Sequence, residues 1–165
     1  MKIRRFILSM PIVTVALGLI LASAGSVIAN GVVHSVHVGG PDICSGFGLS
    51  PGCDADFSLT ANEFSDGTVN GRWTDIAAVT PGDDPVTLVI AIDCLHVNGN
   101  EAWVAGEVVG PDFAGLRGGT RVQDNGVSAN DLPDLVSFTN VFFGDCTTEP
   151  NFDLFPFVEG QVTVR

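Results

Sequence analysis

The sequence has no tyrosine, a single lysine and few arginines. Three of its seven basic residues lie within the first five positions, so residues 30–165 carry four bases against 19 acids, a net charge of −15. Such a surface repels phosphate groups and anionic lipid headgroups. The composition therefore excludes nucleic acid and anionic membranes as expected partners, and it favours a cationic one.

Charged residues are also missing from residues 6–29, which follow a basic start at Lys2, Arg4 and Arg5. A basic segment, an apolar run and then small residues are typical of a secretory signal peptide. We predict cleavage after Ala29, which leaves a secreted protein with no membrane anchor. The predicted organisation is a signal peptide at 1–29, a Gly/Pro-rich segment at 30–55 and a single β domain at 56–165.

The four cysteines all follow the predicted signal peptide, at Cys44, Cys53, Cys94 and Cys146. An even number of cysteines in an exported chain indicates disulfides rather than free thiols. Three pairings are possible; the short Gly/Pro-rich loop from Cys44 to Cys53 favours that pair and leaves Cys94 for Cys146. Zinc is disfavoured because no CxxC or HxxxH spacing is present.

No stretch keeps a helical apolar period over three turns, and 45% of the residues are hydrophobic, which is too many for a disordered chain. Apolar and polar residues instead alternate in short runs between turn residues, a pattern that predicts strands. We predict strands at 32–38, 56–62, 68–76, 86–97, 102–109, 119–124, 135–143 and 160–165.

The predicted fold is all-β, with about eight mostly antiparallel strands in a small up-and-down barrel. A two-sheet sandwich is the alternative, since both architectures hide strand edges. On the longest strand, alternation places Val86, Leu88, Ile90, Ile92 and Cys94 on one face. Asn98-Gly99-Asn100 predicts a tight hairpin after that strand.

The richest polar segment runs from Asp124 to Asp134. Calcium prefers hard oxygen ligands, so Asp124, Asn125, Asp131 and Asp134 are candidate calcium ligands. The spacing differs from that of an EF-hand. The same residues are also typical of a turn in which Asn-Gly supplies a positive φ and side chains cap the backbone. Calcium is the one cofactor the sequence suggests.

Catalytic signals are weak throughout. No serine lies in a G-x-S-x-G motif, and no glycine-rich strand-to-helix loop is present for a nucleotide. An apolar interior around Trp73, Asp93 and Trp103 is the candidate ligand pocket, in which a buried carboxylate would have a raised pKa. The alternative is that Asp93 lies on a solvent-facing side of its strand, and this is favoured because buried unpaired acids are rare. No catalytic residue is predicted.

Several segments resemble an uncharacterised family of small secreted bacterial β-rich proteins. They comprise Ile92–Gly106, Val122–Gly126, Asp131–Ser137 and Gly160–Val164, with Asp-Asn-Gly followed by Asp-x-Pro-Asp as the most specific part. The resemblance spans residues 56–165. It implies a compact secreted β domain and assigns no catalytic residue.

The sequence thus predicts a secreted binding or structural module. One alternative is a calcium-stabilised adhesion or matrix component that uses the Asp124–Asp134 loop. The other alternative is a small-molecule carrier or small barrel enzyme that uses its interior.

Overall fold

A computed structural model of the chain describes residues 31–41, 55–77, 86–128, 130–141, 144–157 and 160–165. Within these residues, one antiparallel sheet curls into a half-barrel, which confirms the all-β, barrel-like prediction. Its strands are β1 (Val32–Pro41), β2 (Ala55–Phe64), β3 (Val69–Ala77), β4 (Val86–Asn98), β5 (Glu101–Pro111), β6 (Arg117–Gln123), β7 (Leu135–Val136), β8 (Asn140–Val141), β9 (Phe155–Pro156) and β10 (Gln161–Val164). The only helix in the described part is a 3-10 turn, Cys146–Thr148.

The strands lie in the order β10-β1-β2-β3-β4-β5-β6-β7-β9, with β8 paired to β6. From β1 to β6, each strand pairs with the next one in the sequence, as an up-and-down arrangement requires. The predicted strand at 135–143 contains two short strands, β7 and β8, and β9 was not predicted. The path therefore has nine strands rather than about eight.

Strand β1 is an integral part of the barrel, because it lies between β10 and β2. Val36 and Val38 on β1 are buried in the main core. Residues that precede position 56, where the predicted β domain begins, therefore belong to the same sheet. Cys44 and Cys53 lie outside the described residues.

Large side chains fill the inner face of the sheet. Trp73, Phe57 and Phe157 are the largest fully buried side chains. The rings of Phe57 and Trp73 are 5.3 Å apart, and those of Phe57 and Phe157 are 6.4 Å apart. Within the described part of the chain, aromatic packing occupies the centre of the barrel, as is usual for a core rather than a channel.

A β-bulge in β4 places Cys94 on the face opposite to the predicted one. The register with β5 shifts between Ile92 and Cys94, so Asp93 is an extra residue in the strand. A bulge reverses the alternation beyond it. Ile92 and Leu95 therefore both pack in the inner core, whereas Cys94 packs in a second cluster with Trp103. The prediction that Ile92 and Cys94 share a face is wrong for this reason.

Two glycines permit the close approach of neighbouring strands. A Cβ at Gly71 on β3 would lie 2.1 Å from the carbonyl oxygen of Thr60. A Cβ at Gly106 on β5 would lie 2.0 Å from the carbonyl oxygen of Ala91, close to the bulge. Glycine in a strand interior marks such a bend or close approach.

Candidate functional site

The outer face of β4, β5 and β6 carries a row of three polar or aromatic side chains. Trp103 on β5 pairs directly with His96 on β4 and with Arg121 on β6. The rings of His96 and Trp103 are 5.9 Å apart. The guanidinium carbon of Arg121 lies 5.3 Å from the centre of the Trp103 ring, a cation–π contact. This row exists because the bulge turns His96 towards the outer face.

A segment that we name the strap, residues 144–152, crosses this face. The disulfide Cys94–Cys146 attaches it, with Cα atoms 6.0 Å apart. The indole Nε1 of Trp103 donates a hydrogen bond to the carbonyl oxygen of Pro150, at 3.0 Å. The guanidinium of Arg121 donates to the side-chain oxygen of Asn151, at 3.3 Å. Trp103 is consequently only 5% exposed although it lies on the outside of the sheet.

Between the strap and the β4–β5 hairpin lies a groove of about 420 Å³. It brings together residues from three separate parts of the chain: the β4–β5 hairpin, β6 and the strap. Its lining consists of three amides, two carboxylates, one guanidinium and one indole: Asn98, Asn100, Asn151, Glu101, Glu149, Arg121 and Trp103. We call this feature the groove.

One side of the groove is fixed by an ion pair. Both the Nε and the Nη2 of Arg121 donate to the same oxygen of Glu101, at 2.9 and 2.6 Å. The two side chains are about one-fifth to one-quarter exposed. Since Arg121 also bonds to Asn151, a single guanidinium joins β5, β6 and the strap.

The opposite side is fixed by Glu149, which has a left-handed backbone conformation with φ of 50° and caps the 3-10 turn. Its Oε1 accepts hydrogen bonds from the His96 ring and the Asn98 amide, both at 3.0 Å. These bonds, that of His96 foremost, lower the pKa of Glu149 below its ordinary value. Glu149 is therefore held as a carboxylate at the rim of the groove.

The sequence predicted only one residue of this groove, Trp103. The other lining residues are ordinary surface residue types, and they are far apart in the sequence: Asn98 and Glu149, which share a hydrogen bond, are separated by 51 positions. The hairpin at Asn98-Gly99-Asn100, which supplies two of the amides, was predicted and is confirmed, with Gly99 at a φ of 65°. The cysteine pair was the available signal that Glu149 lies near β4.

The structure does not bring the three predicted pocket residues together. Trp73 lies on the inner face, whereas Trp103 lies under the strap on the outer face. Asp93 is exposed at the bulge and forms a two-pronged ion pair with Arg117, at 3.0 and 2.7 Å. The pair raises the pKa of Arg117, with the hydrogen bonds to Asp93 as its main cause. Asp93 is thus a surface carboxylate, because the bulge places it there.

The candidate calcium ligands lie where the two ends of the sheet approach. One carboxylate oxygen of Asp134 accepts from the backbone N–H of Val162 at 2.6 Å, and the other from that of Asn125 at 2.8 Å. One oxygen of Asp124 accepts from the N–H of Val164 at 3.0 Å. Val162 and Val164 belong to β10, the strand at one end of the sheet order. Asp124 and Asp134 therefore take the place of a neighbouring strand along the edge of β10 that does not pair with β1.

The other two candidate ligands stabilise the loop itself. Asp131 accepts from the backbone N–H of Ser128 at 2.8 Å, and Asn125 bonds to Gln123 and to the carbonyl oxygen of Pro133. Gly126, between them, has a φ of 107°. These contacts match the turn interpretation of the segment. Calcium binding by this loop stays a prediction.

Among the described residues, only Cys94, Asp145 and Cys146 bring three metal-ligand atoms within 4.8 Å of one another. The two sulfurs are joined in the disulfide, so they offer no thiolate to a metal. Asp145 accepts from the backbone N–H of Thr147, and this bond lowers the pKa of Asp145. The group is a structural anchor for the strap.

Comparison with known proteins gave no match to a family model, to a curated protein or to a solved structure. The resemblance to a family of secreted bacterial proteins stays a prediction. In the described part of the chain, no helix has the length and apolar character needed to cross a bilayer.

Proposed function

We propose that this protein is a secreted binding module and that its binding site is the groove. The observation that carries the proposal is the construction of the groove: three chain segments meet there, and a disulfide and the Glu101–Arg121 ion pair hold them. A site whose walls are fixed before binding loses little conformational freedom when a ligand arrives. Secretion is supported by the signal-like N-terminus and by the disulfide.

The groove favours binding over catalysis. A general acid needs a pKa raised towards the working pH, whereas the pKa of Glu149 is lowered. Its lining residues include no hydroxyl or thiol nucleophile. Amides, carboxylates and a guanidinium in fixed positions are instead suited to recognising a polar ligand by hydrogen bonds.

A carrier that binds its ligand inside the barrel is the second candidate. One observation favours it: the buried indole Nε1 of Trp73 has no hydrogen-bond partner among the described residues. A buried donor of this kind commonly bonds to water or to a ligand. The packing in the barrel disfavours a carrier, because the rings of Phe57 and Phe157 fill the space next to Trp73.

The two tryptophans allow one experiment to separate these functions. Trp103 lines the groove and Trp73 lies in the interior, and the chain has two tryptophans in all. We would record the indole N–H signals of the oxidised 165-residue protein by NMR during titration with saccharides, amino acids, polyamines and fatty acids. The proposal expects at least one compound to shift the Trp103 signal alone.

Asn151→Ala should weaken that binding, and Asn70→Ala is the matched control because Asn70 is an exposed asparagine on β3. A shift confined to Trp73 would establish the interior carrier in place of the groove. No shift at Trp103 with any compound would contradict the proposed function.

A further inference from the structure

We infer that the groove binds a protonated amine or guanidinium, the cationic group of a basic peptide or a polyamine; this inference rests on the proposed function. The first reason is a surplus of hydrogen-bond acceptors. Both partners of Glu149 use its Oε1, and both nitrogens of Arg121 use the Oε2 of Glu101. The second oxygen of each carboxylate therefore accepts no hydrogen bond from the described residues.

The amides add to this surplus. Asn98 donates from its nitrogen to Glu149, and Asn100 donates from its nitrogen to the carbonyl oxygen of Asp124, at 2.8 Å. Within the described structure, the carbonyl oxygens of both amides are left without a donor. Four oxygens at one groove thus lack donors, and an ammonium with three N–H groups or a guanidinium with five supplies them.

The charge of the groove points to the same ligand. Its lining holds two carboxylates and one guanidinium, and Arg121 is already bonded to Glu101 and Asn151. The groove therefore has an excess of negative charge. The whole chain has a formal net charge of −12, which attracts cations over long distances and repels anions. A hydrogen bond between charged groups is roughly twice as strong as a neutral one.

A saccharide fits this geometry less well. Sugar rings commonly stack on an open aromatic face, but Trp103 is 5% exposed and Arg121 covers its ring. The indole N–H is also occupied, since it donates to Pro150. The aromatic residue supports the groove from beneath and offers no stacking surface.

The test compares two variants that remove one negative charge each. Glu149→Gln replaces a groove carboxylate by an amide of the same shape, whose oxygen can still accept from Asn98. Glu107→Gln removes an exposed carboxylate of β5 that does not line the groove. The oxidised 165-residue protein and both variants are titrated with tetralysine, spermine and a neutral tetrasaccharide while the Trp103 indole signal is followed.

The inference expects saturable binding of an amine, weakened about tenfold by Glu149→Gln and less than about twofold by Glu107→Gln. Binding of tetralysine alone would identify a peptide as the source of the cation, and comparable binding of spermine would identify a free polyamine. Equal weakening by both variants would overturn the inference, because binding would then depend on net charge alone. Binding of the tetrasaccharide without the amines would also overturn it, while the groove would remain a binding site. A cooperative melting transition in each variant would show that it is folded.

Discussion

The backbone groups of the long strands β1–β6 and those of the C-terminal part, residues 124–165, have different hydrogen-bond partners. The first six strands are seven to thirteen residues long, and each of β1 to β5 pairs with the next strand along most of its length. In the C-terminal part the strands are two to four residues long. Its backbone groups bond largely to side chains and turns, with Asp124, Asp134 and Asp145 as the main acceptors.

This difference explains where the groove lies. A backbone N–H that is removed from water needs a partner, whether a strand or a side chain. In the C-terminal part, carboxylates supply those partners, so the chain can follow an irregular course over the sheet. The strap is such a segment, and it brings Glu149 and Asn151 to the β4–β5 hairpin. The regular part is the scaffold, and the irregular part completes the site.

The largest expected effect comes from removing the disulfide. Cys94 and Cys146 close a loop with a sequence separation of 52, for which the loss of loop-closure entropy predicts a stabilisation of roughly 4 kcal/mol. We expect the double variant Cys94→Ser/Cys146→Ser to release the strap while the hairpin-paired strands persist. Trp103 should then become accessible to acrylamide quenching and Trp73 should stay protected. Equal quenching of both tryptophans would contradict the division into two regions.

The next largest effect is expected in the paired strands. Gly106→Ala places a Cβ 2.0 Å from the carbonyl oxygen of Ala91, so β4 and β5 must separate. Forcing atoms into a packed interior costs about 1–3 kcal/mol, and we expect the upper end because the contact is with backbone. Chemical denaturation measures the loss. Gly39→Ala on β1 is the control, since nothing lies within 4 Å of its Cβ position. A comparable loss in both variants would contradict the close approach as the cause, because the lower entropy of the unfolded chain should by itself make alanine at position 39 slightly stabilising.

A smaller effect is expected at the edge of β10, where Asp134 takes the place of a neighbouring strand. Asp134→Ala removes a buried carboxylate that accepts from the backbone N–H groups of Val162 and Asn125. We expect a loss of about 1.5–3 kcal/mol, the range for hydrogen bonds to a charged group. Amide hydrogen exchange should increase at Val162 and stay slow at Val104 in the core. Unchanged exchange at Val162 would mean that the carboxylate does not protect the edge of β10.

A thermal melt tests the calcium prediction for the Asp124–Asp134 loop. A site held at about 100 times its dissociation constant adds roughly 2.7 kcal/mol, which raises the melting temperature by several degrees. We would compare EDTA with millimolar calcium, in the unaltered protein and in Asp131→Ala. A rise that Asp131→Ala abolishes would establish the site. No rise would leave the loop with its structural role.

The smallest effect concerns pH. Because folding lowers the pKa of Glu149, its ionised form stabilises the strap above its ordinary pKa, and this contribution is lost as the pH falls through the lowered value. His96→Ala should return that pKa towards its ordinary value, since His96 is the main cause of the shift. Carboxyl NMR titration measures it. An unchanged titration midpoint in His96→Ala would exclude the hydrogen bond as the cause.

The strand pattern could be predicted where alternation continues without interruption. All of β1 to β6 were predicted, because buried residues recur at every second position of a strand, as Val36 and Val38 do on β1. Leu59 on β2 and Trp73 on β3 lie in the same core. The bulge at Asp93 could not be predicted. The alternation around Asp93 is compatible with a regular strand and with a bulged one. Only the register with β5 identifies the extra residue.

The sequence by itself determined the all-β class, the acidic surface, the hairpin at Asn98-Gly99-Asn100 and the most favoured partner of Cys94. These depend on composition and on neighbours a few residues apart. Only the tertiary structure decided that Asp124 and Asp134 bond to the edge of β10 and that Trp103 lies beneath a groove. Those facts depend on contacts between residues 28 to 53 positions apart. Such distances along the chain leave no periodic trace in the sequence, because folding rather than local preference sets them.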